Sequence, residues 1–226
     1  HCSFRYSVAS PAITFQDNNN PNGNGEITVQ RSLIGDCLTG GIYGAIVSEP
    51  RQGYAGTNSI HHNLFAHIDH RFPNSAGSGQ FEVIENVAYN QGNKMSQFFN
   101  NSETNFINNT FKAGYCSIFG AGRLNNIALY GSLSAYTPRV YISGNRIDSA
   151  GDGYDYSPTD TDMEGIVKMW VEVNAFRDPT PEEETKHRAT TPFADLGVPI
   201  TKLGTDASYT NVLSDVGANR YLNADG

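Results

Sequence analysis

A repeated polar position, most often asparagine, constrains the fold of this chain more than any other feature of its sequence. Segments of alternating apolar residues share this position, with an apolar residue three places before it and another two places after it. The polar residues are Ser32, Asn63, Asn86, Asn109 and Asn145, in segments 27–34, 59–65, 81–88, 104–111 and 140–147. The steps from 63 to 86 and from 86 to 109 are both 23 residues, and the two outer steps are 31 and 36. Two regular units and two units with insertions fit these spacings.

A repeat of this length, built from short β segments around a turn, is typical of a solenoid, because one unit cannot bury its apolar face alone. Two columns of residues should then point into a shared core. They are Val29, Ile60, Val83, Phe106 and Ile142, and Ile34, Phe65, Ala88, Phe111 and Ile147. We expect asparagine at the turn because it tolerates left-handed backbone geometry and because stacked side chains can hydrogen-bond along the solenoid. His1 to Phe4 fit the same template in mid-coil, so we expect further coils before His1.

Composition supports an all-β fold of one domain. The chain has 226 residues, and charged residues make up 17% of it. The net charge of −8 argues against nucleic acid and against an anionic membrane surface as partners. No apolar run approaches the roughly 18 residues that span a bilayer.

The pattern changes after about residue 175, so we divide the chain into β coils over 1–175 and a loop and helix segment over 176–226. Thr180, Pro181 and Glu183 have the spacing of a capping box at a helix start, and Glu182/Lys186 and Glu184/Arg188 form i,i+4 pairs. A second apolar stripe at helical spacing contains Tyr209, Val212, Leu213 and Val216. We expect this short helix to pack on the solenoid as a cap.

Several segments, in order, resemble the motifs of pectate lyases. HCSFRYSV (1–8) resembles their DHCSxSW segment, and SIHHNLFAHIDHRFP (59–73) is similar to SxHHNLFxxxxxRxPR. FEVIENVAYNQG (81–92) resembles xxVVNNVxYNWG, NFINNTFKAG (105–114) resembles NxVxNYYKxG, and ASYTNVLSDVGANRYLNADG (207–226) is similar to the carboxy-terminal tail of bacterial members. The resemblance implies a right-handed parallel β-helix. It also implies a secreted, monomeric enzyme that cleaves pectate by calcium-assisted β-elimination.

Arg71 matches the arginine that this family uses to remove the proton from C5 of the uronate. Elimination needs such a base, together with positive charge that stabilises the enolate-like transition state. Asn74 stands where the motif has a second arginine, and this change should weaken the positive field near Arg71. The resemblance also implies calcium carboxylates, one before His1 and others at positions where this chain has Ala9 and Ser10. Asp17, Asp36 and Glu49 are the nearest substitutes.

Other polar residues are candidates for contact with an acidic polysaccharide. His67 and His70, with Asp69, lie in the loop that leads to Arg71, and Lys94 and Arg51 could add positive charge along a groove. Tyr54, Tyr89 and Tyr115 could stack on sugar rings or pack in the core. His61 and His62 resemble metal ligands, but neighbouring residues on a strand point to opposite faces, so we expect a structural role for both.

Two functions fit these observations. The first is a secreted polysaccharide lyase that acts on pectate or a related uronate polymer, with Arg71 as base. The second is a β-helix of the same descent that binds glycan, or serves as a structural or adhesive module, without turnover. Retention of Arg71-Phe72-Pro73 favours the first function, and the missing carboxylates at Ala9 and Ser10 favour the second.

Overall fold

The chain folds mainly as β-strands in three sheets. The computed structural model describes residues 2–8, 12–16, 26–37, 42–45, 56–75, 79–92, 96–112, 114, 127–130, 137–149, 154–156, 167–172, 175–197 and 199–217. These residues contain nineteen strands and two helices. The prediction of an all-β chain with a short helical carboxy-terminal segment is confirmed at this level.

The strands are named in chain order. Sheet A contains β1 (Ser3–Arg5), β4 (Leu33–Cys37), β7 (Leu64–Ile68), β10 (Val87–Tyr89), β13 (Thr110–Lys112), β16 (Arg146–Ser149) and β17 (Tyr154–Tyr156). Sheet B contains β2 (Ile13–Gln16), β5 (Ile42–Ala45), β8 (Asn74–Ser75), β11 (Gln97–Phe98), β14 (Ile127–Tyr130), β18 (Val167–Glu172) and β19 (Ala175–Arg177). Sheet C contains β3 (Glu26–Gln30), β6 (Gly56–His61), β9 (Gly79–Ile84), β12 (Glu103–Ile107) and β15 (Arg139–Ser143).

Neighbouring strands within each sheet are parallel, except that β17 is antiparallel to β16 and β19 is antiparallel to β18. From β3 to β14 the chain visits sheets C, A and B in the same order in each round. Each strand therefore pairs with the equivalent strand of the next round, and corresponding residues of the sequence repeat lie side by side.

The two predicted apolar columns are in register. Val29 pairs with Ile60, and the same alignment continues through Val83, Phe106 and Ile142. The second column is aligned through Ile34, Phe65, Ala88, Phe111 and Ile147. Val29 is partly buried, and the side chain of Ile147 is not described. The other members belong to the main hydrophobic core, which confirms the predicted core face of the repeat.

The asparagine residues form a continuous hydrogen-bonded ladder. The side-chain amide Nδ2 of Asn63 donates to Oδ1 of Asn86 at 3.0 Å, and Nδ2 of Asn109 donates to Oδ1 of Asn145 at 2.9 Å. Each of these side chains also donates to a backbone carbonyl, and the carbonyls belong to Val29, Ile60, Val83 and Phe106. The step of 23 residues is therefore the length of one round of the chain through the three sheets, which separates one stacked asparagine from the next. The predicted hydrogen bonding of this column is confirmed.

The left-handed backbone conformation lies one residue before the asparagine, so our conformational reason for asparagine was wrong. The residues directly before the ladder positions all have positive φ, and they are Arg31 (50°), His62 (54°), Glu85 (54°), Asn108 (54°) and Gly144 (64°). Asparagine occupies the next position because its amide can donate and accept at the same time. These five residues form a second column beside the ladder, which we call the turn column.

Helix α1 (Pro181–His187) begins with the predicted capping box. The Glu183 amide donates to Thr180 Oγ1 at 3.3 Å, and the Thr180 amide donates to Glu183 Oε2 at 2.9 Å. The predicted pair of Glu184 and Arg188 is formed at 3.6 Å. His187 is buried at the carboxy-terminal end of this helix beside the carbonyl of Pro138, and burial lowers the pKa of its imidazole.

Helix α2 (Thr205–Asp215) lies against the outer face of sheet A. Val212 and Val216 pack with Val87 and Leu64 in a second hydrophobic cluster. Leu213, which we placed in the apolar stripe, is 49% exposed, so its assignment to the buried face was wrong. One residue of a helical stripe can point to solvent because successive residues are about 100° apart around the axis.

Candidate functional site

Arg71 lies in the short connection between β7 and β8. Its backbone is left-handed, with a φ of 70°, and its side chain is half-buried. The next residue, Phe72, is 1% exposed and packs edge-to-face on Phe65, with ring centroids 5.7 Å apart. The hydroxyl of Ser96 donates to the carbonyl of Phe72 at 2.8 Å. The core therefore holds the backbone that carries Arg71.

Asp69 and His70 form a pair directly before Arg71. Oδ2 of Asp69 lies 2.8 Å from Nδ1 of His70. The backbone packs closely around this carboxylate, since a Cβ added at Gly92 would lie 3.0 Å from Oδ1 of Asp69. An ionised carboxylate can only accept, so Nδ1 of His70 carries the hydrogen in this contact. The other ring nitrogen, Nε2, is then left to contact a ligand.

His67 lies near the end of β7 in a left-handed conformation, with a φ of 55°. Its Nδ1 is 2.7 Å from Nδ2 of Asn90, and its ring meets Tyr89 edge-to-face with centroids 5.4 Å apart. His67 is exposed, and Tyr89 is 37% exposed. Tyr89 is therefore at the surface beside His67 rather than in the core, which is consistent with contact to a sugar ring.

The other predicted site residues either lie outside the described residues or have a structural role. Lys94, Arg51, Ala9 and Ser10 lie outside the described residues, as do Asp17, Glu49, Tyr54 and Tyr115. Asn74, at the position of the family's second arginine, is buried in sheet B, and its Nδ2 donates to Oε1 of Gln97 at 2.8 Å. Asn74 therefore has a structural role, because its side chain links β8 to β11.

The described residues do not fit a resident calcium site. Among them, no group of three or more His, Cys, Asp or Glu side chains is placed to hold a metal ion. Asp36, one of the suggested substitutes, is paired with Arg5, whose Nε donates to Oδ2 at 2.8 Å. Calcium prefers several carboxylate oxygens around one point, and this part of the chain does not supply them.

His61 and His62 correct one of our predictions, because their rings meet. Nδ1 of His61 lies 2.8 Å from Nδ1 of His62. His61 ends β6, but His62 has a φ of 54° and belongs to the turn column, so the alternation of a strand stops between them. The argument that the two side chains point to opposite faces therefore does not apply.

A buried carboxylate stands behind this histidine pair. Oε2 of Glu85, which is 0% exposed, lies 3.0 Å from Nε2 of His62. Oε1 accepts hydrogen bonds from the Gly204 amide at 2.8 Å and from Nδ2 of Asn108 at 3.2 Å. Burial alone would raise the pKa of Glu85, but these hydrogen bonds and the His62 contact hold it below its usual value. Sequence analysis missed Glu85, although it precedes Asn86 as His62 precedes Asn63.

The chain matches no protein-family model, no curated protein and no solved structure. Within the described residues, neither helix is long and apolar enough to cross a membrane.

Proposed function

We propose that this chain is a right-handed parallel β-helix that acts as a secreted lyase on pectate or a related uronate polysaccharide, with Arg71 as the base. The order in which the chain visits its three sheets supports the solenoid, because parallel pairing of equivalent strands is what stacked coils require. The resemblance of the motif around Arg71 supports the activity. The placement of Arg71 carries the proposal: it is held between the buried Phe72 and the pair of Asp69 and His70.

In the proposed elimination, Arg71 accepts the proton from C5 of a uronate residue. The electrons of the C5–H bond form the double bond between C4 and C5, and the C4–O bond breaks. The leaving oxygen then takes a proton from water. Arginine normally has a pKa above about 12, so the unprotonated fraction that can act as base grows as the pH rises. We therefore propose that the activity increases with alkaline pH.

The neighbouring side chains contribute binding in this proposal. His70 accepts a hydrogen bond at Nε2 from a hydroxyl group of the uronate, while Asp69 fixes the orientation of the ring. His67 and Tyr89 extend the contact surface along sheet A, with the tyrosine ring against a sugar face. Lys94 and Arg51 belong to the same proposal as sources of positive charge. The substrate is acidic, and the protein works as a monomer.

No step of this mechanism is assigned to calcium, because the described side chains do not form a site for it. The calcium concentration is therefore varied in the experiment. If the ion bridges protein and substrate carboxylates, turnover depends on added calcium and is lost with a chelator.

A glycan-binding module without turnover is the second candidate. The ion pair of Asp36 with Arg5 favours it, since one of the few carboxylates available to replace the family's calcium ligands is already neutralised by a neighbouring guanidinium. Such a module binds polygalacturonate, but it releases no unsaturated product.

The test is the ultraviolet absorbance of unsaturated uronate products, measured with polygalacturonate at alkaline pH, with calcium and with a chelator. We expect Arg71→Ala to lower the rate about 100- to 10,000-fold, the range of a general base. The exposed Arg139 provides a matched control, and Arg139→Ala should retain the rate. Binding of polygalacturonate by the wild-type protein with no product from any uronate polymer would support the second candidate.

A further inference from the structure

A cleft of about 770 Å³ lies beside the histidine pair. The outer face of β3 and β6 forms one wall, and residues 195–203 form part of the other. Its volume is in the range of about 300–1,000 Å³ that is typical of small-molecule sites. His61 lines this cleft, and so do the neutral polar side chains of Thr28, Gln30, Thr57, Ser59, Thr201 and Asn211. The cleft is therefore separate from the turn that carries Arg71.

The carboxylate of Glu85 determines which nitrogen of each imidazole carries a hydrogen. An ionised carboxylate only accepts, so the 3.0 Å approach of Nε2 of His62 to Oε2 of Glu85 favours a hydrogen on Nε2. When His62 is neutral, its Nδ1 has a lone pair, and the 2.8 Å contact needs a hydrogen on Nδ1 of His61. A neutral His61 then has its lone pair on Nε2. The buried carboxylate thus makes Nε2 of His61 a hydrogen-bond acceptor.

His61 stays neutral over a wide pH range. Burial, the neighbouring His62 and the charge of Arg31 lower its pKa to about 4, and Glu85 opposes this shift. A base with such a low pKa is a weak proton acceptor near neutral pH, where efficient general bases have a pKa close to the working pH. His61 is therefore suited to accept a hydrogen bond rather than to remove a proton.

The charges around the cleft disfavour an anionic ligand. Glu26 lines it with negative charge, and Asp195, which also lines it, is paired with Lys202 at 3.5 Å. The guanidinium of Arg31 also lines the cleft, but it is paired with the carboxylate of Asp215. Neutral hydroxyl and amide groups remain as the main polar contacts, and these groups match the hydroxyls of an uncharged sugar.

We propose that this cleft is a second binding site, which takes an uncharged, hydroxyl-bearing ligand such as a neutral oligosaccharide, and that a ligand hydroxyl donates to Nε2 of His61. Glu85 and His62 are positioning residues that hold His61 in the accepting tautomer. The site does not depend on the proposed lyase activity, since none of the residues around Arg71 lines it.

The experiment is a titration followed by nitrogen-15 NMR of the histidine side chains at pH 8. The probes are a neutral galactose tetrasaccharide and tetragalacturonate. We expect His61 to carry its hydrogen on Nδ1, and we expect the Nε2 signal to shift with the neutral probe. His61→Phe, which keeps the ring but removes the acceptor, should weaken binding of this probe about tenfold, as expected for the loss of one hydrogen bond.

Two further variants keep the result interpretable. Lys186→Ala, on the exposed side of α1, is the control for substitution itself and should bind the neutral probe as the wild type does. Arg71→Ala should also keep this binding, so a failure of the lyase proposal leaves the cleft proposal standing. His61 in the Nε2–H tautomer, equal binding of both probes, or unchanged binding by a folded His61→Phe variant would each overturn the proposal.

Discussion

Oδ1 of Asn109 accepts two hydrogen bonds from Asn86, one from its backbone amide and one from its side-chain Nδ2, each at 3.0 Å. Asn86 in turn presents its own Oδ1 to the same two groups of Asn63. Each asparagine is therefore both a donor and an acceptor in a buried column that joins successive rounds of the chain.

Replacing the central member of this ladder should be costly. Asn86→Ala leaves the backbone amide and the side chain of Asn63 without their acceptor in a buried environment, and each such group costs about 1–3 kcal/mol. We expect the free energy of unfolding, measured by urea denaturation, to fall by about 3 kcal/mol. Asn101 is exposed and accepts one hydrogen bond, from Thr137, so Asn101→Ala should cost less than about 1 kcal/mol. Equal losses in the two variants would contradict a structural role for the ladder.

Two glycines with almost the same backbone conformation allow the cost of backbone strain to be measured separately from the cost of steric crowding. Gly144 and Gly197 have φ values of 64° and 66°. A Cβ at Gly144 would overlap Oδ1 of Asn108, whereas nothing lies within 4 Å of a Cβ at Gly197. Gly197→Ala should cost about 1 kcal/mol from conformation alone, and Gly144→Ala should cost about 1 kcal/mol more. Thermal unfolding of both variants gives the comparison, and a smaller loss at Gly144 would mean that Asn108 moves aside freely.

The repeat in the sequence predicted much of the fold, because the stacking of equivalent residues is a direct consequence of regular spacing. The column of Asn63, Asn86 and Asn109, the apolar columns beside it and the capping box at Thr180 were all visible as patterns. The contact of His61 with His62 was not, since it depends on a left-handed residue that ends the alternation of β6. The role of Glu85 was also hidden, because its partner Gly204 is 119 residues away and no local pattern connects them.

Glu85 should stabilise the packing of the carboxy-terminal segment against the sheets. Glu85→Gln removes the negative charge and leaves one neutral amide oxygen to accept from the Gly204 amide and from Asn108, so the hydrogen bond to Gly204 weakens. We expect amide exchange at Gly204 to speed up about tenfold, because a hydrogen bond to a charged group contributes about 1.5–3 kcal/mol and a neutral one about 0.5–1.5 kcal/mol. The amide of Thr110, which donates to the carbonyl of Asn86, is an internal reference that should not change.

In the wild-type protein, the contribution of Glu85 to the stability of this segment should depend on pH. Because the folded-state pKa of Glu85 is depressed, its contribution to stability is present above the unfolded pKa of about 4.3 and is lost as the pH falls through the folded pKa. Exchange at Gly204 should therefore rise on acidification in the wild type, after correction for intrinsic rates, and less steeply in Glu85→Gln. Parallel pH profiles of the two proteins would show that another group controls this segment.

Glu183 should make α1 sensitive to acid. Two hydrogen bonds from the guanidinium of Arg177, together with the Thr180 amide, lower its pKa to about 2, against the opposing effect of burial. The stability that it contributes is complete above the unfolded pKa of about 4.3 and decreases as the pH falls towards 2. For a pair near the surface we expect about 1 kcal/mol. Glu183→Gln should remove this part of the pH dependence in urea denaturation between pH 5 and pH 2. Glu182→Gln, on the exposed side of the same helix, should keep it.

Arg71 as the base of an elimination is the central claim, and the pH dependence of Arg71→Lys tests it most directly. Lysine has a pKa of about 10.4, well below that of arginine, so a lysine base is unprotonated at lower pH. We measure the rate of unsaturated product formation from polygalacturonate against pH for the wild type, Arg71→Lys and Arg71→Ala. The account predicts that the alkaline rise of the rate begins about two pH units lower in Arg71→Lys and that Arg71→Ala is nearly inactive. An unchanged pH profile in Arg71→Lys, or wild-type rates in Arg71→Ala, would contradict it.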